Sequence, residues 1–126
     1  MRPRLGALAL TALLALQACH QTTAPSPSTG LTGLVVRGPV APVCQVNTSC
    51  DAPFSATFTV EQNARTVAQF HSGDDGRFTV MLAQGVYSVV PSADAPLISP
   101  QSQVKTVQVL ASGLTEVRLE FDTGIR

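Results

Sequence analysis

Tryptophan is absent from this 126-residue chain, tyrosine occurs once (Tyr87), and only 13% of the residues are charged. Each shortage excludes something. Single-stranded nucleic acid is held by aromatic platforms lining a basic groove, and this chain lacks both. Lys+Arg and Asp+Glu number 8 each. Two of the bases, Arg2 and Arg4, stand at the extreme N-terminus, so the rest of the chain is slightly acidic. A surface of that sign offers no counterion release and does not read nucleic-acid phosphates. Past residue 18 there is no long apolar run, and no stretch carries the 3.6-residue period of an amphipathic helix. The length allows one domain and little else.

The N-terminus has the pattern of a targeting segment. Met1-Arg2-Pro3-Arg4 is a positive start, and Leu5 to Leu16 is an apolar or small run broken only by Thr11. About a dozen residues are too few to cross a ~30 Å hydrocarbon core as a helix, and the composition is that of a signal peptide. The run ends in Leu16-Gln17-Ala18-Cys19, which resembles the lipobox of bacterial lipoproteins at every position except Gln17. The resemblance implies cleavage before Cys19, leaving 1–18 as leader, and lipidation of the Cys19 sulfur. Each buried CH₂ of such an anchor contributes about 0.8 kcal/mol, so two or three chains hold a protein to a bilayer. The partner expected at this end is therefore the membrane, with the protein exported and facing the periplasm or the cell surface. Residues 19–31, rich in Thr, Ser and Pro, are expected to form a tether with local polyproline II stiffness. The folded domain is assigned to 32–126.

With Cys19 assigned to lipid, Cys44 and Cys50 remain as an even pair in an oxidising compartment. Their C-x₅-C spacing is not a C-x-x-C redox motif, and no further His or Cys is placed to complete a zinc site. A structural disulfide is expected, and no metal or cofactor.

From Thr32 onward the apolar period is two. Ala56, Phe58 and Val60 alternate with Thr57, Thr59 and Glu61, and Phe78 alternates with Val80 and Leu82. Val117, Leu119 and Phe121 alternate with Glu116, Arg118 and Glu120. Asn63-Ala64, Ser72 to Gly76, Ala83 to Gly85 and Ser112-Gly113 read as turns, the second and third as hairpin turns closed by glycine. The pattern predicts an all-β fold, a seven-stranded antiparallel sandwich. Its expected inward set is Phe58, Val60, Phe78, Val80, Tyr87, Val89, Val107, Val109, Val117, Leu119 and Phe121.

Asp74-Asp75-Gly76-Arg77-Phe78-Thr79-Val80, followed by Leu82, Gly85, Tyr87 and Val89, resembles the carboxypeptidase regulatory-like domain family. Gly33-Leu34-Val35-Val36 with Gly38-Pro39 resembles that family's opening strand. The resemblance spans most of 32–122 and implies a prealbumin-like (transthyretin-like) Greek-key sandwich, used widely as a non-catalytic module. Hydroxyisourate hydrolases share the transthyretin fold but need catalytic His and Arg residues and a Tyr-Arg-Gly-Ser tail. This chain ends Phe121-Asp122-Thr123-Gly124-Ile125-Arg126, and His71 is the only histidine of the domain. Pilin-type sandwiches can form a Lys–Asn bond, but Lys105 is the only lysine, and Asn47 and Asn63 fall in a loop and a turn.

Three remaining motifs carry potential chemistry. Asp122-Thr123-Gly124 spells an aspartic-protease triplet, but that chemistry needs two carboxylates sharing a proton. Asp74-Asp75 offers calcium two carboxylates where six to eight oxygens are wanted. His71 lies beside that turn with no nucleophile and acid set around it in sequence. No catalysis is expected. The functional expectation is a lipid-anchored envelope protein acting as a binding or structural module, with an envelope protein or a glycan as candidate partner. A carbohydrate- or peptidoglycan-binding module is the alternative, and a hydrolase the next. The shortage of Trp and Tyr counts against a sugar platform.

Overall fold

The computed structural model describes residues 27–126. Eight strands form: β1 (Gly30–Gly38), β2 (Ala52–Pro53), β3 (Thr57–Gln62), β4 (Arg65–His71), β5 (Arg77–Met81), β6 (Gly85–Pro91), β7 (Lys105–Val109) and β8 (Leu114–Asp122). Among the described residues the only helical piece is a single 3₁₀ turn at Pro100–Ser102. Among the described residues no helix is long and apolar enough to cross a membrane. In one sheet β1 is central, flanked by β8 on one side and by β5 and β2 in succession on the other. The second sheet runs β4-β3-β6-β7. The two sheets face each other across one apolar core, so the all-β sandwich expected from the alternation is present.

Four details differ from the sequence expectations. The first strand begins at Gly30, inside the segment assigned to the tether. Thr29 is already buried and donates to the Leu82 carbonyl at 2.6 Å, and Leu31 is fully buried. There are eight strands rather than seven, because Ala52–Pro53 pairs with Val36 and Arg37. The sandwich is not wholly antiparallel either. β8 runs parallel to β1, in register from Gly30↔Leu114 to Gly38↔Asp122. Side chains alternate with period two in both kinds of ladder, so alternation cannot distinguish them. Lastly, the Ser72–Gly76 and Ala83–Gly85 turns do not close hairpins. Each carries the chain from one sheet to the other, since β4 and β6 lie in one sheet and β5 in its partner.

Gly76 shows why glycine is needed at the first crossing. Its φ is +75°, and a Cβ there would meet the Val35 carbonyl oxygen. The Val35 N–H bonds Gly76 O at 2.8 Å, which locks the turn onto β1. The true hairpin is β3–β4, turning at Asn63-Ala64 with φ of 52° and 62°. Positive φ at both central positions is the type I′ geometry that matches strand twist. Asn tolerates it, whereas Ala carries a Cβ into the left-handed region.

The core holds ten of the eleven expected inward residues; Val117 alone is only half-buried, packed against the cluster. Seven more buried residues join it: Leu31, Val35, Phe54, Ala56, Phe70, Leu82 and Ala95. All five phenylalanines share one cluster. Phe78 stacks on Phe70 at 4.3 Å, Phe70 on Phe58 at 5.0 Å, and Phe58 meets Phe121 at 5.5 Å. Phe54 sets its edge against Phe58 and Phe121, each at 6.1 Å. Phe78 and Phe121 come from one sheet and Phe58 and Phe70 from the other, so the rings bridge the sandwich. Such pairs contribute roughly 0.5–1.5 kcal/mol each beyond their burial.

Two stability outcomes follow from these contacts. Phe58→Ala, at a site with no exposure, should lower the unfolding free energy by about 3–5 kcal/mol, measured by urea denaturation. A loss under 1 kcal/mol would contradict the bridging role. Ala64→Gly should raise stability by about 0.5–1 kcal/mol, because relief of left-handed strain outweighs the added freedom of the unfolded chain. An unchanged or lower urea midpoint would show that the strain is absent.

Candidate functional site

The residues singled out for chemistry occupy separate places. Cys19 lies outside the described residues. Cys44 and Cys50 form the expected disulfide, with Cα atoms 5.5 Å apart, in the loop joining β1 to β2. That loop is anchored where the Val40 N–H meets Cys50 O at 2.8 Å. From Pro39 to Cys50 it carries no charge, and Val43 and Val46 are 81% and 89% exposed.

The Asp74-Asp75 turn is spent on its own backbone. Asp75 Oδ1 accepts from the Arg77 N–H at 3.0 Å, and the Gly73 N–H bonds Arg77 O. Among the described residues no group of three or more His, Cys, Asp or Glu side chains could hold a metal ion.

His71 is held by two hydroxyls that sequence reasoning missed. Ser55 Oγ lies 2.9 Å from Nε2 and Thr57 Oγ1 lies 3.0 Å from Nδ1. Strand pairing explains the cluster, because Thr57 sits directly opposite His71 in the β3–β4 ladder. Ser55 Oγ also donates to Ser72 O at 3.0 Å. All three bonds coexist when the ring proton is on Nε2, with Nε2–H donating to Ser55 and Thr57 donating to Nδ1. For Ser55 that polarity is the reverse of an activated nucleophile, whose hydroxyl must donate to the imidazole; of the two hydroxyls, only that of Thr57 donates to the ring. Next to it, buried Ser72 accepts from the Ala56 N–H and donates to Phe54 O. The cluster joins the 54–56 segment to the end of β4.

Asp122 is likewise engaged. Arg126 grips its carboxylate with both terminal nitrogens, at 3.2 and 2.9 Å, and the Gly124 N–H donates to Oδ1 at 2.7 Å. The Arg126 bonds, and next the Gly124 bond, pull the carboxyl from its ordinary 3.8 down to about 2. A protease dyad is two carboxyls sharing one proton, whereas the Asp122 carboxylate is paired with a guanidinium. Lys105 is placed with its ammonium 5.3 Å from the Phe121 ring centre.

Two depressions lie over Gly33 in the β8–β1–β5 sheet. One, of about 560 Å³, is bordered by Thr32, His71, Arg77, Thr79 and Glu116. Its neighbour, of about 510 Å³, adds Leu34 and Arg118. Both are open and shallow. Thr32 and Thr79 share a hydroxyl contact at 3.1 Å, and Arg118 donates to Glu120 at 2.8 Å. Exposed charges of mixed sign on a sheet face suit recognition of another surface better than bond-making in a desolvated pocket.

No protein-family model matches the chain, and no curated protein matches it in sequence. Similarity appears in solved structures. A DUF3823 family protein from Parabacteroides merdae superposes with a TM-score of 0.53 at 20% identity, covering 77% of this chain and 47% of that one. Another, from Bacteroides ovatus, gives a TM-score of 0.49 at 18% identity, covering 75% and 44%. The chain thus spans less than half the length of either protein. At these identities the likeness concerns the fold alone.

The Asp122 carboxyl should titrate by carbon NMR with a midpoint near 2, and Arg126→Ala should move that midpoint up toward 3.8. Because the folded value is depressed, the associated stabilisation is complete above the unfolded value and is lost as pH falls through about 2. A wild-type midpoint at the ordinary value would remove the Arg126 clamp.

Proposed function

We propose that this chain is a lipid-anchored, exported protein whose prealbumin-like sandwich, a carboxypeptidase regulatory-like domain, serves as a non-catalytic binding or structural module of a bacterial envelope. The observation that carries the reading is the sequence Arg2 to Cys19: charged start, apolar run, then Leu16-Gln17-Ala18-Cys19. The Cys44–Cys50 disulfide supports it, since such bonds persist in oxidising compartments. Of the three cysteines in the sequence, Cys19 is the one outside that bond. For the Greek-key topology, the support is the return of β6, after β4 and β5, to lie antiparallel beside β3. For a role in binding rather than turnover, the support is the state of the polar groups: the His71 ring and the Asp122 carboxylate are held by neighbours, and the depressions over Gly33 are shallow and bear mixed charge.

Intact mass measurement of the protein from membranes tests the anchor. Processing before Cys19 with added diacylglyceryl mass is the expected result, and Cys19→Ala should shift the protein out of the membrane fraction or leave it unprocessed. A mature N-terminus at any other residue, or an unmodified Cys19, would refute the proposal.

A further inference from the structure

The longest strand with an open edge is β8. One side pairs with β1 along all nine residues. On the other side, backbone orientation can be read from its end. The Asp122 N–H donates to Gln103 Oε1 at 2.7 Å, and Asp122 O accepts from Gln103 Nε2 and the Ile98 N–H. Asp122 therefore points its peptide groups away from β1, and Thr123, whose N–H bonds Gly38 O, points its own toward it. By alternation, Leu114, Glu116, Arg118 and Glu120 also direct N–H and C=O outward. Among the described residues nothing bonds them. Gln103 and Ile98 close the edge only at Asp122. Leu110 and Leu114, 52% and 47% exposed, flank its beginning.

An edge of this length is a template for another strand. Natural edges are blunted by charged side chains, lysine above all, by proline, by bulges or by a covering loop. Here the exposed residues alternate Glu116, Arg118, Glu120, a self-complementary row in which Arg118 bonds Glu120 of its own chain at 2.8 Å and lies 3.9 Å from Asp51, leaving Glu116 for a second copy's Arg118. A two-fold axis pairs β8 with its own copy antiparallel. Directly opposed side chains share a face, so residues must meet odd with odd and even with even; any other register turns Val117 and Leu119 out to solvent. Centred on Arg118, the pairing sets Arg118 against itself and Glu116 against Glu120. Centred on Leu119, it sets Glu116 against Asp122, whose edge is already closed. Centred on Val117, it places Glu116 opposite Arg118 twice, and Leu114 opposite the stem of Glu120. All the outward peptide groups from Leu114 to Glu120 then find partners.

We infer that β8 is a homodimer interface, in which two copies of this chain join edge to edge about Val117 and their β8–β1–β5 sheets become continuous. The other free edges serve less well. β7 has five residues, as has β5, and the pairing of β4 is interrupted by a bulge opposite Val60/Glu61 that pushes out Val67.

Oxidative cross-linking of the purified full chain tests this. Residues 117 of the two copies form a non-hydrogen-bonded pair, with Cα atoms about 4.5 Å apart, inside the range a disulfide spans. Val117→Cys treated with copper–phenanthroline should give a dimer on a non-reducing gel. Leu114→Cys, displaced from its own mate by about 20 Å at strand rise, should not. Adding Glu116→Arg to Val117→Cys should abolish the cross-link by setting arginine against arginine, and adding Arg118→Glu as well should restore it. The charge variants lie on the exposed face and leave the β1 ladder intact, which circular dichroism verifies. Absence of the Val117→Cys dimer, equal cross-linking at Leu114→Cys, or a dimer indifferent to Glu116→Arg would each overturn the proposal.

Discussion

The two sheets of this protein are joined through phenylalanine. With no tryptophan and a single tyrosine, the interior lacks the large side chains that usually fill a sandwich. It concentrates its five phenylalanine rings in one contiguous cluster, with Phe70 on Phe78 and Phe58 against Phe121 at the contacts between sheets. Those contacts set the spacing of the two layers. The strands that carry the rings must then hold register, since a one-residue slip would send a ring to solvent.

Register is enforced at the crossings. Gly76 sits against Val35, Ser72 bonds the backbone at Phe54 and Ala56, and Thr29 holds Leu82. Each of these ties a turn between sheets to a strand or to the segment beside one. Tyr87 adds another by donating to Ala83 O at 2.6 Å. The disulfide does comparable work on the β1–β2 connection, which has few apolar contacts of its own. The surface that remains carries locally engaged polar groups and, among its free strand edges, the long edge of β8. His71, Asp75 and Asp122 are each used for local geometry.

Alternation, turn residues and cysteine arithmetic are local properties, and what depends on them was legible. Ten of the inward residues, the Asn63-Ala64 turn and the Cys44–Cys50 bond could be read because side-chain direction follows from period two and a short loop between cysteines limits the pairing. Phe70 and Phe54 could not. Phe70 lies on a strand whose alternation is broken by the bulge at Val67, and Phe54 lies outside any strand, so neither has a periodic signal. The His71 cluster was invisible for a similar reason, because Ser55, Thr57 and His71 meet only through the β3–β4 ladder.

By itself the sequence determined that the chain is built of strands and which faces turn inward. These follow from residue chemistry at single positions or from spacing over a few residues. Only the tertiary structure decided that β8 runs parallel to β1, that the Gly76 and Gly85 turns carry the chain between sheets rather than close hairpins, and that one edge of β8 is left open. A tight turn has the same local chemistry wherever the next strand goes. Its destination is set by which apolar faces can be buried together, and that is a property of the whole chain.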